Sequence, residues 1–122
     1  MTLKLLKETF TVCQIADGKE ADLTRPFTFF ARTDEEVSLV CPADACPQGA
    51  IKKEEGWRCL KVMGPLDFSL IGILAKIADT LAKAGVSIFA VSTYDTDYVL
   101  LRAERLADAL QALTAAGYVI LE

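Results

Sequence analysis

Apolar residues recur at three- and four-residue spacing in two stretches of the chain and mix with polar residues in a strand-like way over much of the rest. In the first stretch, Leu70, Ile71, Leu74, Ile77, Ala78 and Leu81 form one stripe, with Lys76, Asp79, Thr80 and Lys83 opposite. This spacing predicts an amphipathic helix, and Gly85 is its natural stop. Leu106, Ala107, Leu110 and Leu113 predict a second helix within residues 103–116, ended by Gly117. Strands are predicted over residues 3–15, 26–33, 36–41, 57–63, 86–94, 98–102 and 118–121. Asp34 and Glu35 join the second and third of these into a hairpin. Residues 16–22 read as a polar loop, 43–50 as a short helix constrained by Pro42 and Pro47, and 51–56 as a charged connector.

The second half therefore runs strand, helix, strand, strand, helix, strand, the order of a ferredoxin-like split βαβ sandwich with both helices on one face. Ile88 and Ala90 lie on one face of their strand and Phe89 and Val91 on the other. Two helices cover one face only, so the neighbouring half or a second subunit is expected to cover the other. An internal repeat supports the first of these. Phe30 to Val40 aligns with Phe89 to Leu101 when two gaps are allowed, matching Arg32 and Thr33 to Ser92 and Thr93, and Glu36 and Val37 to Asp97 and Tyr98. Both segments are hairpins with acidic tips. The first copy has no room for a long first helix, because residues 16–25 are few and polar.

With 122 residues and 52% hydrophobic side chains, the chain forms one ordinary domain or two small units sharing a core. The net charge of −4 and the lack of a Lys/Arg block argue against nucleic acid and anionic lipid. No run of about 18 apolar residues is available to span a bilayer and the first residues do not read as a signal peptide, so a cytoplasmic protein is expected. In that setting Cys13, Cys41, Cys46 and Cys59 stay reduced, and disulfides are not expected. Cys46 followed by Pro47 resembles the end of a bacterial iron–sulfur motif, but the other ligands would fall at Glu36, Leu39 and Pro42. Only Cys41 and Cys46 are close in sequence and histidine is absent, so no zinc site and no other cofactor is expected. Without histidine the commonest general base is missing, and catalysis is not expected.

Leu66, Asp67, Phe68, Ser69, Leu70, Ile71, Gly72, Ile73 and Leu74, followed by Ser92, Thr93, Tyr94, Asp95, Thr96, Asp97 and Tyr98, carry a resemblance. The second half resembles an ACT domain, and the whole chain is similar to small tandem ACT proteins related to eukaryotic cytosolic arginine sensors. The resemblance implies an α+β protein of two ferredoxin-like (βαββαβ, ACT-type) modules packed together: a degenerate one over residues 1–60 and a complete one over 61–122. It also implies a regulatory homodimer that binds an amino acid or similar small effector between modules. The family's ligand loop corresponds to Asp67, Phe68, Ser69 and Leu70, and its strand-end polar motif to Ser92, Thr93 and Asp97.

The chemistry of an amino-acid zwitterion suits these positions. Unpaired N–H groups in a helix's first turn, with Ser69, would hold a carboxylate. Asp67 or Asp97 would accept charge-assisted hydrogen bonds from an ammonium group. Each has a plainer reading: Asp67 as a helix cap, Ser92 and Thr93 as braces of a bulge, and Gly72 as a point of close packing. The competing function is a purely structural or oligomerisation domain with no ligand.

Overall fold

The computed structural model describes residues 1–64 and 71–122. It is a mixed α+β fold with strands β1 (Thr2–Leu5), β2 (Phe10–Ile15), β3 (Phe29–Arg32), β4 (Val37–Pro42), β5 (Lys52–Val62), β6 (Ile88–Ser92), β7 (Asp97–Arg102) and β8 (Val119–Leu121), and helices α1 (Ile73–Lys83) and α2 (Leu106–Ala115). The chain forms two compact units, Glu8–Trp57 and Met1–Lys7 with Arg58–Glu122. The sequence places the boundary after residue 60 and assigns the N-terminal residues to the first module. In the structure Met1–Lys7 belongs with the C-terminal unit.

Three elements differ from the sequence expectation. Residues 3–15 form two strands rather than one, the break falling between Leu5 and Phe10. The charged connector at 51–56 is strand, because Lys52, Lys53 and Glu54 pair with Gln14, Cys13 and Val12 while their side chains stay exposed. The helix expected over 43–50 is only a 3₁₀ turn, Ala43–Ala45, as Pro47 cannot continue it.

In the Glu8–Trp57 unit the order is β3-β4-β2-β5, with every neighbouring pair antiparallel. This unit carries two 3₁₀ turns, Gly18–Glu20 and Ala43–Ala45. Gly18–Glu20 is held by Asp17, whose carboxylate accepts from Lys19 N at 3.0 Å, while Glu20 accepts from Asp17 N at 3.2 Å. The core is correspondingly thin: Cys13, Ile15, Val37, Leu39 and Cys41 on the sheet, covered by Phe30 and the small side chains of Ala21, Ala45, Cys46 and Ala50.

In the other unit the order is β8-β1-β5-β7-β6. β1 runs antiparallel to β5, with Leu3 opposite Val62 and Leu5 opposite Leu60, and parallel to β8. Leu3, Leu5, Leu60, Val62, Val99 and Leu101 face Ile77, Leu81, Ala109 and Leu113 in a single core. Two stripe residues are misplaced by the periodicity. Ile71 is 94% exposed, because Gly72 takes φ +81° and the helix starts only after it. Ala107 is exposed, and Ala109 points inward in its place. Gly72 is not a packing glycine either: a Cβ there would meet nothing within 4 Å, so its use is the left-handed backbone. The far end of α1 is closed by Arg105, whose guanidinium donates to Gly85 O at 2.9 Å and Ala84 O at 3.3 Å, placing a cation at the negative end of the helix.

The repeat is tighter than the gapped alignment suggests. The β3–β4 and β6–β7 hairpins end on the pairs Arg32–Val37 and Ser92–Asp97, and each is followed by a 3₁₀ turn, Ala43–Ala45 and Ala103–Arg105. Thr33 N donates to Glu36 O at 2.9 Å and Thr93 N to Thr96 O at 2.8 Å. Glu36 is thus equivalent to Thr96, and Val37 to Asp97, with no gap inside the turn.

Candidate functional site

The polar residues singled out at the hairpin gather at one end of the C-terminal unit. Asp97 lies across from Ser92 in the last β6–β7 pair. Alternation along β7 puts Asp97 on the same face as Val99 and Leu101, the face that carries α1 and α2. Ser92 Oγ donates to Asp97 Oδ1 at 2.5 Å. Thr93 Oγ1 donates to Thr96 O at 3.1 Å, bracing the turn as Thr33 braces the earlier one. Asp67, Phe68, Ser69 and Leu70 lie outside the described residues.

Thr96, a neighbour of the candidate residues, anchors this end. It is 5% exposed, and its hydroxyl donates to Val62 O at 2.6 Å. The next residue, Met63, donates its N–H to Thr2 O at 2.9 Å, and Val119 N donates to Met1 O at 3.1 Å. The hairpin tip, the end of β5 and the starts of β1 and β8 are therefore tied in one row. Only a hydroxyl between Asp95 and Asp97 marks Thr96 in the sequence, a signal too common to be noticed. Thr96→Val keeps the side-chain volume and removes the donor. It is expected to lower stability by about 1–3 kcal/mol, the cost of leaving a buried carbonyl without its partner. Thr96→Ser is expected to stay near wild type, and urea unfolding with an unchanged m value separates the two.

Among the described residues, two hollows open at this end. One, about 180 Å³, is lined by Lys61, Met63, Gly64, Thr93, Asp95 and Tyr98 among others. Lys61 Nζ sits 6.0 Å from the Tyr98 ring centre, and burial together with Cys59 and Asp95 pushes the Tyr98 hydroxyl above its ordinary pKa. The other, about 580 Å³, lies at the start of α1 and the end of α2, between Ile71, Gly72, Lys76, Gly117, Tyr118 and Met1. The first intrahelical bond of α1 runs from Lys76 N to Gly72 O, so the earlier first-turn N–H groups have no partner within the helix. Asp97 lines neither hollow; it stands on the helix-bearing face of the sheet at the start of β7. Among the described residues no three His, Cys, Asp or Glu side chains are grouped to hold a metal ion. No helix among them is long and apolar enough to cross a membrane.

Two helices on one face of a sheet ordered β8-β1-β5-β7-β6 make a ferredoxin-like α+β unit in which β1 stands between β8 and β5. Residues 52–115 match the ACT domain model, and the chain belongs to the ACT domain family. It is 35% identical over 108 residues to human cytosolic arginine sensor for mTORC1 subunit 1, covering 78% of this chain and 33% of the relative. The chain spans about a third of the length of the curated relatives it matches. Among solved structures it is similar to protein Atu0741 from Agrobacterium tumefaciens, with 34% identity, a TM-score of 0.87, and coverage of 98% of this chain and 91% of that one. The regulatory subunit of aspartate kinase from Thermus thermophilus shares the fold, with a TM-score of 0.63 at 12% identity over 94% of this chain and 96% of that one.

Proposed function

We propose that this chain is a non-catalytic regulatory module that binds an amino acid or a similar small effector, built from two ACT-type modules of which the earlier is degenerate, and working as a homodimer in the cytoplasm. The observation that carries this reading is the placement of Asp97 on the helix-bearing face, at the end of the unit where α1 begins. In the proposed site the first-turn N–H groups of α1, with Ser69, hold the effector's carboxylate. Asp97 accepts from its ammonium group, and Asp67, Phe68 and Leu70 line the loop beside it. Ser92 fixes the orientation of the Asp97 carboxylate, and Thr93 fixes the turn. The human relative's name makes arginine the first effector to try.

The second reading, a structural domain with no ligand, is favoured by one observation: Ser92 and Thr93 spend their hydroxyl protons inside the hairpin. A thermal-shift panel of the common amino acids separates the two. A ligand at a hundredfold excess over Kd stabilises the native state by about 2.7 kcal/mol. For a domain of this size that is an expected rise in Tm of about 10 °C. A panel in which no amino acid moves Tm overturns the sensor reading and supports the structural one.

A further inference from the structure

Cys13 and the neighbouring pair Cys41 and Cys46, some thirty residues further on, meet in one core of the Glu8–Trp57 unit. Cys13 lies in the middle of β2 opposite Leu39, and Cys41 lies on β4 opposite Thr11. Because these pairs are two residues apart on antiparallel strands, Cys13 and Cys41 are diagonal neighbours on the same face. Both are buried, at 3% and 1% exposure, in the same small core. Cys46 follows the 3₁₀ turn Ala43–Ala45, with its N–H bonded to Ala43 O, and comes back over this core. Its side chain packs against the core that holds Cys13 and Cys41, and its thiol donates to Pro47 O at 3.7 Å. Cys46 is only half-buried, so it is the member of the cluster that a solute reaches.

We propose that Cys13 and Cys46 form a reversible redox site, closing to an intramolecular disulfide when the chain meets a hydroperoxide. The half-exposed Cys46 sulfur attacks the peroxide O–O bond. Cys46 becomes a sulfenic acid, the peroxide is reduced by two electrons, and the corresponding alcohol or water leaves. The Cys13 sulfur then displaces the hydroxyl from Cys46. The S–S bond forms, and the Cys13 proton departs with the hydroxyl as water. A small-molecule thiol reverses the step by thiol–disulfide exchange.

The division of roles follows from burial. Desolvation, with Cys46 next in weight, pushes the Cys13 thiol up to about 12, and desolvation pushes Cys41 up to about 11. Neither buried thiol carries appreciable thiolate at neutral pH, so neither makes the first attack. Cys13 acts only once an electrophilic sulfur is already against it. Cys41 lies in the same core and only five residues from Cys46, so the Cys41→Ser variant decides which buried thiol resolves the sulfenic acid.

The test uses the whole reduced chain, a stoichiometric amount of hydrogen peroxide, alkylation without reductant, and tryptic mass spectrometry. Two of the four thiols are expected to be lost and fully recovered with dithiothreitol. A cross-link is expected between the peptides spanning residues 8–19 and 33–52. It should persist in Cys41→Ser and vanish in Cys46→Ser, whose half-exposed site tolerates the change. The bridge closes a loop of about 30 residues, and the oxidised chain is expected to melt several degrees higher. Four thiols still titratable after peroxide overturn the proposal, as does over-oxidation of Cys46 without a cross-link. A cross-link that survives Cys46→Ser overturns it as well.

Discussion

Leu81→Ala is expected to cost about 2–5 kcal/mol, a large share of the stability of a domain this size. Leu81 is fully buried and sits where α1 packs on Leu3, Leu60, Val62 and Leu101. The backbone after it is held by bonds from Val86 N at 2.9 Å and Ala84 N at 3.1 Å, both to Leu81 O. With both ends of that turn tied, the helix is poorly able to sink into the space the side chain leaves, and the cost belongs in the upper part of the range. Ile71→Ala is the internal comparison. It removes a similar side chain that is almost wholly exposed, and a change within about 0.5 kcal/mol is expected. Urea unfolding monitored by circular dichroism reads both, and equal effects would show that α1 does not pack as described.

The second large effect concerns the proposed ligand. If Asp97 accepts from an ammonium group, Asp97→Ala removes a charge-assisted hydrogen bond of about 1.5–3 kcal/mol, which raises Kd roughly ten- to a hundredfold. Alanine also releases Ser92, so the change alone would confuse a lost contact with a loosened hairpin. Asp97→Asn resolves this. Asparagine still accepts from Ser92 but carries no charge, so it is expected to keep the melting temperature of the free protein and still lose most of the affinity. Titration calorimetry with the amino acid found in the screen measures it. An Asn variant that binds as tightly as wild type would remove Asp97 from the site.

Much of the C-terminal unit was legible in the residues. The stripe through Leu74, Ile77 and Leu81 marks α1 because a 3.6-residue period has one buried solution against a sheet. Gly85 and Gly117 mark helix ends because each adopts a positive φ that other residues resist. The hairpin at 93–96 was legible from its turn residues. Misreadings cluster where local pattern was overruled by pairing. Lys52, Lys53 and Glu54 look like a linker, yet their backbone groups complete a strand beside β2 while the charges remain in water. Ile71 looks like core until the backbone of Gly72 turns it outward. Of the candidate site, Ser92 and Asp97 were legible as a polar pair. Thr96 was not, because its importance lies in the carbonyl of Val62, 34 residues away.

Periodicity and turn chemistry by themselves determined that this chain has two amphipathic helices, a set of short strands and a repeated hairpin, since those properties depend on neighbours within a few residues. Tertiary structure alone decided three other matters. It took β1 out of the first half and set it between β5 and β8, it tied the hairpin tip to the end of β5, and it brought Cys13 together with Cys41 and Cys46 in one core. The physical reason is the same each time: strand pairing and burial are satisfied by whichever backbone edge or apolar face is nearest in space, and separation along the chain does not enter that choice.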